Sequence, residues 1–196
     1  MNNKTSIKLI LASSSAYRRE LLSRLHIPFI SISPDIDENP LQKESAEETA
    51  LRLAIRKAKH VSVSNPGYTI IGADQICSCD GRQIGKSGSF ENAKKQLQLI
   101  SGKKVLFISA ISITNGKDTL SSIVTTECKF RILSDTSIDY YLQKEKPYDT
   151  AGSVKMEKLG ITLVEYIKSD DPTAILGLPL IKLTDFLIKL NIIPTK

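Results

Sequence analysis

The chain predicts an α/β fold, a mixed and twisted sheet with flanking helices, on three observations. Runs with the make-up of buried strands alternate with segments of helical periodicity. Two tight-turn pairs, Asp80-Gly81 and Asn115-Gly116, turn strand back on strand, so the sheet is not purely parallel. No internal repeat, low-complexity segment or linker interrupts the 196 residues, so 1–196 reads as a single domain able to bury a sizeable core.

The elements follow in order. Ile7 to Ala12 is an apolar first strand, and the serines Ser13, Ser14 and Ser15 each offer a cap for a helix from Ala16 to Leu25. "HIPFISISP" (26–34) has the β-branched and aromatic content of a neighbouring strand, and "DIDENPLQKE" is a polar loop. Ser45 and Glu48 form a capping box ahead of a helix whose Ala50, Leu53, Ala54, Ala58 and Val61 share one face. "YTIIGADQICSC" is a buried strand that returns through Asp80-Gly81 toward Ile84. Ser89 caps a helix through Ile100, closed by Gly102. "VLFISAISIT" and "LSSIVTTECKFRIL" form a long hairpin, and Ser134 opens a short helix through Tyr141. "EKPYDTAGSVKMEKLG" is too long for a plain connector and is a functional candidate. A strand "ITLVEYIK" and a helix from near Pro179 complete the chain.

A net charge of +6 and a pI of about 9.2 favour an anionic partner. Nucleotide, nucleic acid and acidic membrane are all compatible with that charge, but the basic residues are dispersed, with no Lys/Arg run of the kind that binds nucleic acid. Three cysteines, Cys77, Cys79 and Cys128, argue against a disulfide framework and for a reducing cytoplasm. The Cys77-Ser78-Cys79 spacing is too short for a zinc knuckle. The apolar stretch from Val105 to Ile113 is too short to span a bilayer, and the first ten residues carry no signal-peptide core. A cytoplasmic protein is expected, with no membrane partner and no stable nucleic-acid partner.

The first strand–loop–helix places Arg18 and Arg19 near a helix start, where the dipole disfavours cations. A serine-rich loop followed by those arginines suits a bound anion as well as it suits a simple cap. Asp74 follows "TIIGA", and a carboxylate at the mouth of a buried strand needs a metal, cation or substrate to offset its desolvation. The alternative is a turn aspartate. Glu38, in the earlier acidic loop, is a solvated turn residue by default, yet with Asp74 it would make an oxygen site for Mg²⁺ or Mn²⁺. Lys86 in "IGKSGS" has flexible glycines on both sides but lacks the spacing of a nucleotide-binding P-loop. Lys57, inside "RLAIRKAK", is expected on an exposed helix face. Two arginines, two lysines and two acids together suit a polyphosphate, with metal and cations neutralising charge and a carboxylate activating water. No Ser-His-Asp or Cys-His set is convincing with His26 and His60 both beside helix ends.

"LILASSSAYRRELL", "DIDE", "RLAIRKA", "IGADQ", "IGK", "SG" and "AGS…GLPL", from residue 9 to about 180, resemble the Maf family in order and spacing. That resemblance implies an inosine-triphosphatase-like fold with a cleft between two lobes. It also implies a nucleoside triphosphate pyrophosphatase that needs a divalent cation, and a homodimer. By the same resemblance Asp74 is the general base, Ser13, Arg18, Arg19, Lys57 and Lys86 bind the triphosphate, and Glu38 shares the metal with Asp74.

The last third, "KPYDTAGSVKMEKLGITLVE" and "DDPTAILGLPLI", looks like the YceF-like branch that acts on 7-methyl-GTP, keeping modified nucleotides out of nucleic acids. The branch acting on dTTP and UTP has Thr and Gln where this chain has Gln75 and Glu157, and Arg where it has Tyr17. These three are the implied specificity residues. The chemistry agrees: N7-methylguanine is cationic, so an aromatic ring can stack on it, and a carboxylate can accept from its N–H edge. Ala16 and Ser87 depart from the family, which commonly has Pro at both places. A dTTP/UTP pyrophosphatase is the alternative within the family. Outside it stands a non-enzymatic nucleic-acid-binding or cell-division protein, which the charge permits but which leaves Asp74, Glu38 and Lys86 unexplained.

Overall fold

The computed structural model describes residues 8–194; Ile7, expected to begin the first strand, lies outside them. The elements are β1 (Leu9–Ala12), α1 (Ala16–Ser23), β2 (Ile30–Ile32), α2 (Ala46–Val63), β3 (Thr69–Cys79), β4 (Arg82–Ile84), α3 (Phe90–Ile100), β5 (Lys104–Thr114), β6 (Thr119–Phe130), α4 (Asp135–Glu145), β7 (Val164–Lys168) and α5 (Leu180–Lys189). Short 3₁₀ turns occupy Leu159–Leu163 and Ala174–Leu176. The sheet is mixed, in the order β2-β1-β3-β5-β6-β7, with β4 hairpinned onto β3. β1 runs parallel to both β2 and β3, and every other pairing is antiparallel.

Local chemistry explains most boundaries. Ser15, of the three candidate serines, caps α1 by accepting from the Arg18 N–H at 3.3 Å. The Ser45–Glu48 capping box forms in both directions. Asp80 and Gly81 both take positive φ, the conformation that a two-residue hairpin turn demands.

Three expectations need correction. The strand expected over 26–34 shrinks to Ile30–Ile32, because Pro28 and Pro34 carry no N–H to donate to a ladder. The strand expected from Ile161 starts at Val164; Ile161, Thr162 and Leu163 are wound into a 3₁₀ turn in which Thr162 Oγ1 donates to Leu159 O at 2.8 Å. The helix after Ser134 runs to Glu145 rather than Tyr141, stopping where Lys146 turns left-handed ahead of Pro147.

Two apolar clusters make up most of the core. Leu9, Leu11, Leu21, Ile71, Leu183 and Leu187 join β1 and β3 to α1 and α5. Cys77, Leu97, Phe107, Phe130 and Tyr141 join the far halves of β3, β5 and β6 to α3 and α4. The cysteines are free and buried. Helix α2 lies across the other face of the sheet, and its contact with β3 is unusually close at Gly72. A Cβ there would sit 2.1 Å from Ala54 O and 2.7 Å from Ala58 N.

Candidate functional site

Along its β1 edge, β3 pairs with β1 through Thr69–Gly72 and with β4 through Cys77–Cys79. Ala73, Asp74, Gln75 and Ile76 lie between, with no strand beside them on that edge. A cleft of about 900 Å³ opens at this break, between the two apolar clusters. An interrupted sheet edge exposes backbone and side chains of a buried strand without an entire face being solvated.

Asp74 is 5 % exposed, and its Oδ1 accepts from Lys57 Nζ at 2.5 Å. The same ammonium pairs with Glu38 Oε1 at 2.9 Å. Lys57 is therefore not on an open helix face. It is 4 % exposed, on the same stripe of α2 as Leu53, Ala54 and Val61, and it converges with both carboxylates. The close approach at Gly72, two residues from Asp74, sets how near α2 can bring that lysine. Partial burial alone would raise the Glu38 pKa, but the hydrogen bond and charge of Lys57, helped by Lys86 and Arg18, lower it on balance.

Arg18 enters from the first turn of α1 and donates Nε to Gly177 O at 2.8 Å. Burial depresses its pKa, against the pull of Asp74 and Glu38. Ser13 is buried behind it, and its Oγ accepts from the Ser15 N–H at 3.1 Å, which tightens the loop along the cleft floor. Lys86 is exposed and reaches the opposite rim, where its segment bridges to Ala151. Gly152 N donates to Gly85 O at 3.3 Å and Gly88 N to Tyr148 O at 3.0 Å, so the two loops are joined. Tyr17 and Glu157 also line the cleft.

Gln75 is held tightly. Its Nε2 donates to Ser109 Oγ, Ala174 O and Ile175 O, each at 3.0 Å. Two backbone carbonyls demand the amide nitrogen, and Ser109 has already committed its proton to Ala174 O at 2.6 Å. Oε1 is left without a protein partner among the described residues, beside the cleft.

The exception among the expected site residues is Arg19. It is exposed and is not part of the cleft lining, because it follows Arg18 by a 100° step around α1. Sequence reasoning in turn missed Asn39, Gln83, Asp149 and Gly177, all of which line the cleft. Asp149 carried a usable signal as an acid inside the loop already marked as functional, and Gly177 as the first residue of the GLPL motif.

The loop bearing Glu38 is held by Arg52. Its Nε and Nη2 grip Glu44 at 2.6 and 2.7 Å, and Nη2 also donates to Asn39 O at 3.0 Å. Arg52, with Leu41 N and Thr49 Oγ1, holds the Glu44 carboxyl at about 2. A depressed carboxylate contributes stability that is fully present above its unfolded value near 4.5 and lost as pH falls toward about 2. The gap in thermal midpoint between wild type and Glu44→Gln is accordingly expected to close between pH 4.5 and 2, followed by circular dichroism.

A family model described as Maf-like protein matches residues 8–190. The chain is 54% identical over 187 residues to a 7-methyl-GTP pyrophosphatase of Bordetella pertussis, covering 95% of this chain and 94% of that one. It is 51% identical over 189 residues to a protein of the same name from Cupriavidus metallidurans, covering 95% of each. In fold it resembles the Ham1 protein of Staphylococcus aureus, with a TM-score of 0.52 at 17% identity over 91% of this chain and 97% of that one. The fold likeness bears out the mixed α/β architecture, and with half or more of its residues shared with these relatives the chain belongs to the Maf-like protein family.

Proposed function

We propose that this chain hydrolyses 7-methyl-GTP to 7-methyl-GMP and pyrophosphate. The observation that carries the proposal is the convergence, at the break in the β3 edge, of buried Asp74 and Lys57 with the solvent-facing Glu38 carboxylate, Arg18 and Lys86. Tyr17, Gln75 and Glu157, the side chains assigned here to the base, line the same cleft.

In this reading the serine loop, Arg18 and Lys86 receive the triphosphate, and Arg19 takes no part. Asp74, with Oδ1 fixed by Lys57, accepts a proton from the water that adds across the α–β anhydride; the bridging oxygen leaves with pyrophosphate. Two carboxylates converging on one ammonium are a donor set that also fits a divalent cation, since Mg²⁺ takes one or two carboxylates and completes its shell with phosphates and water. Among the described residues no group of three or more His, Cys, Asp or Glu side chains is placed to hold a metal by itself; in this reading substrate phosphates and water would complete the shell. Glu38 and Asp74 would hold Mg²⁺ or Mn²⁺, which supplies positive charge against the triphosphate.

Tyr17 stacks on the cationic methylated ring. Glu157 and the free Oε1 of Gln75 are acceptors, suited to guanine N1–H and its exocyclic amine. Among the described residues no helix is long and apolar enough to cross a membrane.

Pyrophosphate release measured across 7-methyl-GTP, GTP, dTTP and UTP, with and without Mg²⁺ or Mn²⁺, tests the assignment. A metal-dependent preference for 7-methyl-GTP is expected; preference for dTTP or UTP would sink it. Arg18→Ala is expected to raise KM roughly 10- to 100-fold, the equivalent of a charge-assisted hydrogen bond. Lys86→Ala, whose lysine is exposed and screened, should have a smaller effect in the same direction. Steady-state kinetics at two salt concentrations would expose a wrong placement as an unchanged KM in both variants.

A further inference from the structure

Asp171 is a buried carboxylate, 2 % exposed, and it enters no ion pair among the described residues. Its charge is satisfied by local donors instead. Oδ1 accepts from Thr173 N at 2.9 Å and Thr173 Oγ1 at 2.6 Å, and Oδ2 accepts from Ile181 N at 2.7 Å. Thr173 Oγ1 in turn accepts from Leu180 N at 2.8 Å.

These contacts cap α5 from outside its own sequence. Pro179 stands at the cap position and has no side chain able to accept from the helix. The orphan amides of Leu180 and Ile181 are met by Thr173 and Asp171, seven and ten residues upstream. Residues 171–181 are thereby closed into one rigid turn.

That turn directs three carbonyls at two side chains of the cleft, Gln75 and Arg18. Ala174 O and Ile175 O hold the Gln75 amide, and Gly177 O holds Arg18 Nε. The Gln75 orientation that leaves Oε1 free, and the Arg18 reach, both depend on where these carbonyls stand. We infer that Asp171 is a positioning residue: through the 174–177 carbonyls it orients the side chains that read the base and hold the triphosphate. The inference rests on the proposed contact of Gln75 and Arg18 with the nucleotide.

A helix cap alone would change stability and leave selectivity where it was. The test uses full-length Asp171→Asn, Thr173→Val, Thr173→Ser, Gln75→Ala and the Asp171→Asn/Gln75→Ala pair, all assayed well below their measured thermal midpoints. Asp171→Asn keeps an acceptor for Thr173 but turns an NH₂ toward the Ile181 N–H. The ratio of kcat/KM for 7-methyl-GTP over UTP is expected to fall about tenfold, as one misdirected hydrogen bond predicts, with KM rising more than kcat falls.

Thr173→Ser should retain the wild-type ratio and Thr173→Val should lose it, a comparison that stands even if Asp171→Asn fails to fold. In the Gln75→Ala background Asp171→Asn should alter the ratio no further. A lowered midpoint with an unmoved ratio, or additive effects in the pair, overturns the inference. Wild type without turnover on any triphosphate overturns the functional reading along with it; a selective wild type with an unmoved ratio in Asp171→Asn overturns this inference alone.

Discussion

Asp74→Asn is expected to remove 10²–10⁴-fold of turnover, the usual contribution of a positioned general base, while leaving the fold, and nucleotide binding measured without a divalent cation, nearly intact. The reason lies in the orientation that Lys57 imposes. Its ammonium sits 2.5 Å from Oδ1, so an asparagine must direct its carbonyl oxygen there and its NH₂ into the cleft. The atom facing the proposed water is then a donor, unable to take a proton. Because the amide is nearly isosteric, the thermal midpoint should move far less than kcat. Pyrophosphate release and calorimetric titration with a non-hydrolysable triphosphate, run on the same preparation, separate the two. Near-normal kcat in a correctly folded variant would remove Asp74 from the chemistry.

Gly72→Ala should cost both stability and rate, although the residue touches no substrate. The added Cβ would lie 2.1 Å from Ala54 O and 2.7 Å from Ala58 N, and both are helix backbone, which cannot swing aside as a side-chain tip can. Helix α2 must lift as a body. Overpacking of this kind costs about 1–3 kcal/mol or more. Lys57 rides on the same turn, so its ammonium leaves Asp74 and Glu38. A displacement of about 1 Å in a catalytic array is worth on the order of 10²-fold in rate, which is the expected loss in kcat. Gly81→Ala is the contrast: no atom lies within 4 Å of its Cβ, and only the φ of +75° resists the change, so kcat should stay at the wild-type level. Equal kcat in Gly72→Ala and wild type would show that α2 does not set the Lys57–Asp74 geometry.

Much of this was legible in the residues because local rules and tertiary packing agree. The capping box at Ser45, the Asp80-Gly81 turn and the long hairpin around Asn115-Gly116 are specified within a few positions, and each forms. The mixed sheet followed from those hairpins. Lys57 shows where default reasoning fails. A lysine is placed outside by habit, but at i+4 from Leu53 and i+3 from Ala54 it falls on the apolar stripe, and that spacing was there to be read. Arg19 shows the reverse: helical spacing separates adjacent arginines, so only Arg18 faces the cleft. The shortened β2 depends on missing proline donors, and the late start of β7 on a local turn that Glu145 and Arg131 also bond from elsewhere in the chain, which alternation of residue type does not encode. The break in the β3 edge was out of reach, since it arises from two partners, β1 and β4, stopping short of each other. The role of Ala174, Ile175 and Gly177 is carried by backbone carbonyls, and carbonyls leave no mark in a sequence.

The bridge between Lys86 and Ala151 has a mechanical consequence. With Gly85 bound to Gly152 and Gly88 to Tyr148, the lysine loop and the loop leading to Glu157 are tied together by backbone hydrogen bonds. In the proposed reading, the rim assigned to phosphate is thereby tied to the rim assigned to the base. On the proposed chemistry a single opening serves both products. The order in which pyrophosphate and nucleoside monophosphate depart is then set by their own affinities, not by separate doors.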